Sequence, residues 1–124
     1  MANGITLSAS LSYTGNNATV APPPLVNQAI SVSGNGLNAL NSVTVPTTAA
    51  AIPLGNVTAP GGIIWVKNND PTNYIQLLTG TGGIAFARIL PGEAYPLRLD
   101  AGLTAPFWKA NTATVQATLA IFDA

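Results

Sequence analysis

Prolines and glycines interrupt this chain so often that few kinds of regular structure fit between them. The 124 residues include 12 glycines and 10 prolines, spread from end to end. Proline cannot donate a backbone hydrogen bond and breaks the interior of a helix or a central strand. Isolated helices shorter than about 12–15 residues are marginal in water. The spacing therefore predicts a chain with no helix longer than a turn or two.

The segments between these breaks alternate in the way that strands do. Over Gly4 to Tyr13, Ile5, Leu7, Leu11 and Tyr13 fall on one face and serines and threonines on the other. Such alternation is typical of a strand with one buried face. Similar runs predict about eight or nine short strands in a single antiparallel β-sandwich or barrel. The predicted strands cover 4–13, 25–33, 37–45, 49–54, 63–66, 73–78, 84–90, 94–99 and 114–123.

The stretch from Gly62 to Tyr74 organises the centre of the chain. Ile63 to Val66 are four bulky apolar residues in a row, which indicates a strand buried on both faces. Asn68 to Thr72 ends the strand, since Pro71 cannot join a ladder and Asn and Asp side chains cap turns. We expect a β-arch or a long hairpin here.

Three consecutive prolines, Pro22 to Pro24, divide the chain. They favour a stiff extended spacer, with a surface-lying ligand motif as the alternative. We therefore expect an N-terminal strand or arm with its spacer over 1–24 and a β-sandwich body over 25–124. The apolar residues Leu7 and Leu11 of the arm are candidates for a contact with a neighbouring subunit or a larger shell.

The charge of the chain narrows the classes of partner. Only 6% of residues are charged and the net charge is zero, which favours association; the alternative is a neutral monomer with a polar, uncharged surface. The four cations are scattered, whereas nucleic-acid binding needs clustered ones, so we expect no nucleic-acid partner. The N-terminus lacks the features of a signal peptide, and no apolar run is long enough to span a bilayer, so we expect no membrane partner.

The residue inventory excludes most catalytic chemistry. Without His or Cys, the chain lacks the commonest general base, the usual triads and thiolate nucleophiles. Asp70, Glu93 and Asp100 lie beside turn residues, and no spacing brings two carboxylates together. Asn68, Asn69 and Asp70 offer oxygens for calcium, but one carboxylate is too few, so a turn cap is the preferred interpretation. We expect no enzyme, no catalytic residue, no metal and no cofactor.

The roles of three aromatic residues, Phe107, Trp108 and Phe122, each have two interpretations. Phe107 and Trp108, on a segment predicted to be irregular, either stack on a sugar or cover an open end of the core. Phe122 falls on the strand face opposite Val115 and Ile121, so an isolated sandwich would leave it partly wet. It is a candidate interface residue, unless a loop covers it.

The second half of the chain resembles small structural proteins of tailed bacteriophages. The resemblance is carried by Trp65 to Ile75 (WVKNNDPTNYI), Leu90 to Glu93 (LPGE) and Lys109 to Ala113 (KANTA) before the closing strand. It covers roughly Gly61 to Asp123, and the first half matches only loosely.

This resemblance implies a non-enzymatic virion protein on the particle surface. Among virion roles we favour a capsid decoration or cement protein, a β-sandwich of jelly-roll type that forms homotrimers and binds the major capsid protein. A tail- or fibre-associated module is the alternative within the virion. From another class, a carbohydrate-binding module would use Trp65, Tyr74, Tyr95 or Trp108 as stacking platforms.

Overall fold

The computed structural model describes residues 3–15, 19–32, 36–58, 62–103 and 105–123. It divides into two compact units, Met1–Ser33 and Gly34–Ala124. All regular structure in the described residues is strand, so the all-β prediction is confirmed. The strands are β1 (Asn3–Ala9), β2 (Tyr13–Thr14), β3 (Thr19–Val20), β4 (Leu25–Val32), β5 (Leu37–Val45), β6 (Ala50–Ala51), β7 (Ile63–Asn68), β8 (Ile75–Leu78), β9 (Ala85–Ile89), β10 (Ala94–Arg98), β11 (Phe107–Ala110) and β12 (Val115–Phe122).

The N-terminal unit is a two-stranded ribbon with a small hairpin. β1 pairs antiparallel with β4, and β2 pairs with β3. The strand predicted over 4–13 ends at Ala9, which leaves Leu11 between β1 and β2. The boundary predicted at residue 24 lies inside this unit, because β4 takes its hydrogen bonds from β1. The three prolines precede β4 and are exposed.

The second unit, the body, contains two four-stranded antiparallel sheets. Sheet I has the strand order β10-β7-β12-β5, and sheet II has the order β6-β11-β8-β9. Neighbouring strands in both sheets are paired antiparallel. The central strands β7 and β12 alternate between buried and more exposed residues, as expected of strands with one face on a core.

One hydrophobic core joins the inward faces of the two sheets, as in a β-sandwich. Fully burying a large apolar side chain contributes about 1.5–3 kcal/mol, so this cluster supplies most of the favourable free energy of folding. From sheet I it contains Val45, Ile64, Val66, Val115, Ala117, Leu119 and Ile121. From sheet II it contains Ile75, Leu77, Ile89, Trp108 and Ala110.

The central stretch is an arch rather than a hairpin. β7 belongs to sheet I and β8 to sheet II, so residues 69–74 carry the chain from one sheet to the other. The turn Leu90–Glu93 does the same between β9 and β10. There Glu93 N–H donates to Leu90 C=O at 3.0 Å, and Gly92 has a φ of 79°, which favours glycine.

The strand prediction missed one central element. The segment 103–113, expected to be irregular, contains β11, which lies between β6 and β8 in sheet II. The strand follows Pro106 and is only four residues long. Its alternation shows at just two core-facing positions, Trp108 and Ala110, which is too short a pattern to indicate a strand. Three strands (β2, β3 and β6) have only two residues each. The predicted number of strands and the jelly-roll connectivity stay predictions.

Candidate interaction surfaces

The N-terminal ribbon has an apolar face with no core beneath it in its own unit. Paired residues of antiparallel strands share a face, and the register places Ile5 opposite Ile30 and Ala9 opposite Leu25. Leu7 lies between them on the same face, opposite the exposed Gln28. Ile5, Leu7 and Ile30 are half-buried and Leu25 is exposed. Among the described residues of this unit, none reaches the burial of a core side chain.

A bulge brings Leu25 onto this face. Between the pairs Leu7–Gln28 and Ala9–Leu25, β4 has one residue more than β1. Asn27 accommodates the extra residue of β4 with a φ of 50°. Its N–H donates to Ser8 Oγ at 3.0 Å. An extra residue reverses which side chains face which way along a strand. Without the bulge, Val26 would take the place of Leu25.

The candidate residues Leu7 and Leu11 do not lie in the same structural environment. Leu7 is a half-buried member of the ribbon's apolar face. Leu11 is 72% exposed and lies outside the strands. The expected single strand over 4–13 would have placed them on one face, but the chain leaves β1 after Ala9.

The outward face of sheet I carries the third candidate, Phe122. The register aligns Phe122 with Leu37 and places Ala120 between Ala39 and Trp65. Phe122 and Trp65 are half-buried, and Leu37 is 49% exposed. Trp65 Nε1 is buried with no hydrogen-bond acceptor among the described residues. Buried polar groups are normally paired, so this unpaired donor is an exception in the described part of the chain.

A third apolar surface, which was not predicted from the sequence, lies along β9 and β10. These two consecutive strands are edges of sheet II and sheet I. Of the six large apolar side chains that are exposed in the described part of the body, five lie between Ile84 and Leu97. We call these five the β9–β10 edge patch. Its members are Ile84, Phe86, Leu90, Tyr95 and Leu97.

Part of this patch lines a groove of about 620 Å³. Phe86 from β9 and Leu97 from β10 face it, and Leu99 and Leu103 form part of its apolar wall. Strand β10 is an edge of sheet I and β9 is an edge of sheet II, so none of the described strands of the body covers this side. Alternation along 94–99 indicated that Tyr95, Leu97 and Leu99 share a face, but only Leu99 is buried.

The free edge of β10 lacks a donor at its centre. On the side of β7, Leu99 N–H donates to Gly62 C=O at 3.0 Å, and Glu93 C=O accepts from Asn68 N–H. Since alternate residues point their backbone groups to opposite sides of a strand, the backbone groups of Ala94, Pro96 and Arg98 point outward, away from β7. Pro96 has no N–H, and a proline at this position protects an edge against strand addition.

The arch after β7 is held by side-chain hydrogen bonds, as expected of a turn cap. The fully buried Asn68 donates through Nδ2 to Asn73 C=O at 2.8 Å and to Ile89 C=O at 3.1 Å. Its Oδ1 accepts from Asp70 N–H at 2.9 Å. Asp70 Oδ1 accepts from the N–H groups of Asn73 and Thr72. These two hydrogen bonds lower the pKa of Asp70 below its ordinary value of 3.8.

The four aromatic residues proposed as sugar platforms are not gathered on one surface. Trp108 is 1% exposed in the core, and the guanidinium carbon of Arg88 lies 4.4 Å from the Tyr74 ring centroid. That leaves the half-exposed Tyr95 and the half-buried Trp65. Both are on sheet I, but on opposite faces, since Tyr95 pairs with the inward-facing Val66.

No group of three or more acidic, His or Cys residues suited to a metal ion occurs in the described ranges. In the same ranges, no helix is long and apolar enough to cross a membrane.

The placement of charge along the chain was also missed. All eight charged side chains lie at or after Lys67, so the first 66 residues carry none. The signal was available in the sequence, but counting charges over the whole chain concealed it.

The fold defines this chain as an all-β protein with two packed antiparallel sheets and an N-terminal β-ribbon. No protein-family model matches the chain, and no match is found among curated proteins or among solved structures.

Proposed function

We propose that this protein is a non-enzymatic structural component of a bacteriophage virion. In this proposal it is a decoration or cement protein, a jelly-roll-like homotrimer that binds the major capsid protein on the outer shell and stabilises it. The resemblance of Trp65 to Ile75, Leu90 to Glu93 and Lys109 to Ala113 to phage structural proteins supplies the class. The surfaces described above support a role in assembly.

The observation that carries the assembly role is the ribbon's apolar face. A two-stranded ribbon is marginally stable alone in water, because it cannot bury a core. Here Ile5, Leu7, Leu25 and Ile30 form a face that no residue of the same unit covers fully. A protein that keeps such a face gains stability when a partner covers it, as expected of a subunit that works inside a particle.

The body adds a second surface suited to a large partner. The outward face of sheet I presents the exposed Leu37 and the half-buried Phe122 and Trp65. We assign this face, with Phe122 as the candidate residue, to the contact with the shell. Leu7 is the candidate residue of the ribbon, and Leu11, which lies outside the strands, is a second candidate in the N-terminal unit.

The test is cosedimentation of the purified protein with particles of the phage that encodes it, stripped of this component. We expect the full chain to bind. The variant Phe122→Ser is expected to bind more weakly, because it removes the candidate side chain from the face assigned to the shell. The matched control is Thr6→Ser/Ala29→Ser, since Thr6 and Ala29 lie on the ribbon, outside that face.

Failure of the full chain to bind any part of the particle would overturn the proposal. Cryo-electron microscopy of the bound particle then separates the two virion roles. Density on the capsid shell supports a decoration protein, and density confined to the tail or fibres supports the tail-associated alternative.

A further inference from the structure

We propose that the β9–β10 edge patch of one copy receives the apolar face of the N-terminal ribbon of a second copy. This inference deepens the proposed function, on which it rests, by assigning the surfaces through which copies meet. It concerns contacts between copies in solution and needs no particle.

The patch contains five of the six large apolar side chains that are exposed in the described part of the body. Ile84 is 80% exposed, Tyr95 50%, Leu90 44%, Phe86 42% and Leu97 37%. All five lie within 14 residues of sequence that join sheet II to sheet I. Scattered apolar residues are normal on a surface, whereas a concentrated patch with a groove marks a contact site.

The area is about what a stable contact needs. Five such side chains at these exposures present roughly 400 Å² of apolar surface. One side of a standard protein interface is about 800 Å², of which roughly 60% is apolar. The patch therefore supplies most of the apolar share of one side. The ribbon's face presents a smaller apolar area, because Ile5, Leu7 and Ile30 are half-buried and Leu25 is 37% exposed.

Charge favours the ribbon as the occupant over a second patch. Arg88, Glu93 and Arg98 lie on or between β9 and β10. If two patches packed together about a twofold axis, a charged side chain near the axis would face the same charged side chain of the other copy. Residues 1–33 contain no Asp, Glu, Lys or Arg. An uncharged ribbon covers the patch without placing like charges together.

The contact is made by side chains rather than by extending sheet I. Pro96 removes the central outward donor of β10, so a docked strand cannot complete a ladder there. The groove beside Phe86 and Leu97 instead accepts apolar side chains from the ribbon.

A contact between two different surfaces has consequences for symmetry. Each copy offers one ribbon and one patch, so copies join head to tail and a closed ring uses both surfaces of every subunit. Three copies can close such a ring, in agreement with the proposed trimer. A patch-on-patch contact would stop at a dimer.

The test is molar mass by light scattering on full chains, without particles, for a patch variant and a ribbon variant separately and mixed. We expect the unmodified chain to be trimeric. Phe86→Ser/Leu97→Ser and Leu7→Ser/Ile30→Ser should each associate roughly tenfold to a hundredfold more weakly. Ile84→Ser/Tyr95→Ser repeats the patch test at the two most exposed positions of the patch, where the substitutions remove the least buried surface. Circular dichroism checks that each variant is folded.

The mixture decides between the contacts. The patch variant keeps an intact ribbon and the ribbon variant keeps an intact patch, so the mixture should form 1:1 dimers that neither forms alone. A mixture that stays monomeric, or an unmodified chain that is monomeric at all concentrations, would overturn the inference. So would dissociation by the control Leu37→Ser, on the outward face of sheet I, while the patch variants stay associated.

The two proposals fail separately. A protein that binds particles but is monomeric in solution keeps the proposed function and loses this inference. A protein that forms the mixed dimer but binds no particle keeps this inference and loses the proposed function.

Discussion

At the scale of single residues, two adjacent asparagines have opposite roles. Asn68 is fully buried and bonds three backbone groups across the arch. Asn69 is exposed, and its side chain donates to Thr118 Oγ1 at 3.0 Å. A buried backbone group left without a partner costs about 1–3 kcal/mol, whereas an exposed one finds water.

We therefore predict that Asn68→Ala lowers the free energy of unfolding by about 2–4 kcal/mol, because it leaves several buried groups unpaired. The matched control Asn69→Ala should lower it by less than about 1 kcal/mol. Urea unfolding followed by tryptophan fluorescence measures both. Equal effects of the two variants would show that the arch does not depend on the buried amide.

The turn cap was predictable and the other buried polar residue was not. The pattern Asn68 to Pro71 indicates a capped turn because its hydrogen bonds are local. Asp123 is also buried, and its carboxylate accepts from Gly36 N–H and Thr58 N–H, which are 87 and 65 residues away in sequence. No local sequence pattern indicates such distant partners, so the sequence does not distinguish Asp123 from the other acidic residues.

At the scale of elements, strand positions were easier to predict than strand partners. The alternation over Leu37 to Val45 gives the bounds of β5 as the structure has them. The same kind of pattern over 25–33 predicts β4 (Leu25–Val32), but it does not predict that β4 pairs with β1 in the N-terminal unit. Alternation reports that one face is apolar, and the identity of the surface that covers it depends on contacts far away in sequence.

The edge strand β10 provides a prediction at this scale. Pro96→Thr restores a central outward N–H and turns the edge into a continuous template for strand pairing. We expect the variant to aggregate at lower protein concentration than the unmodified chain, measured by light scattering. Pro71→Thr is the control, because Pro71 lies in the exposed arch and in no strand. Unchanged aggregation of the Pro96 variant would mean that this edge is protected in another way.

At the scale of the whole molecule, the scarcity of charge determines how copies can associate. Four cations and four anions serve the whole chain, and all lie at or after Lys67. Few ion pairs can therefore cross any interface, and none can involve a side chain of the ribbon. Exposed pairs contribute about 0–1 kcal/mol each, so apolar burial at about 25 cal/mol per Å² has to supply the affinity.

We accordingly predict that the oligomer survives high salt. Ions screen exposed charges beyond about 8 Å at physiological ionic strength, but they do not weaken apolar contacts. Light scattering across a sodium chloride series from about 0.05 to 1 M should give a constant or slightly rising molar mass. Dissociation to monomers between low and moderate salt would mean that charge holds the copies together. In that case the interface would have to include charged residues, all of which lie at or after Lys67, and the uncharged ribbon could not be its main component.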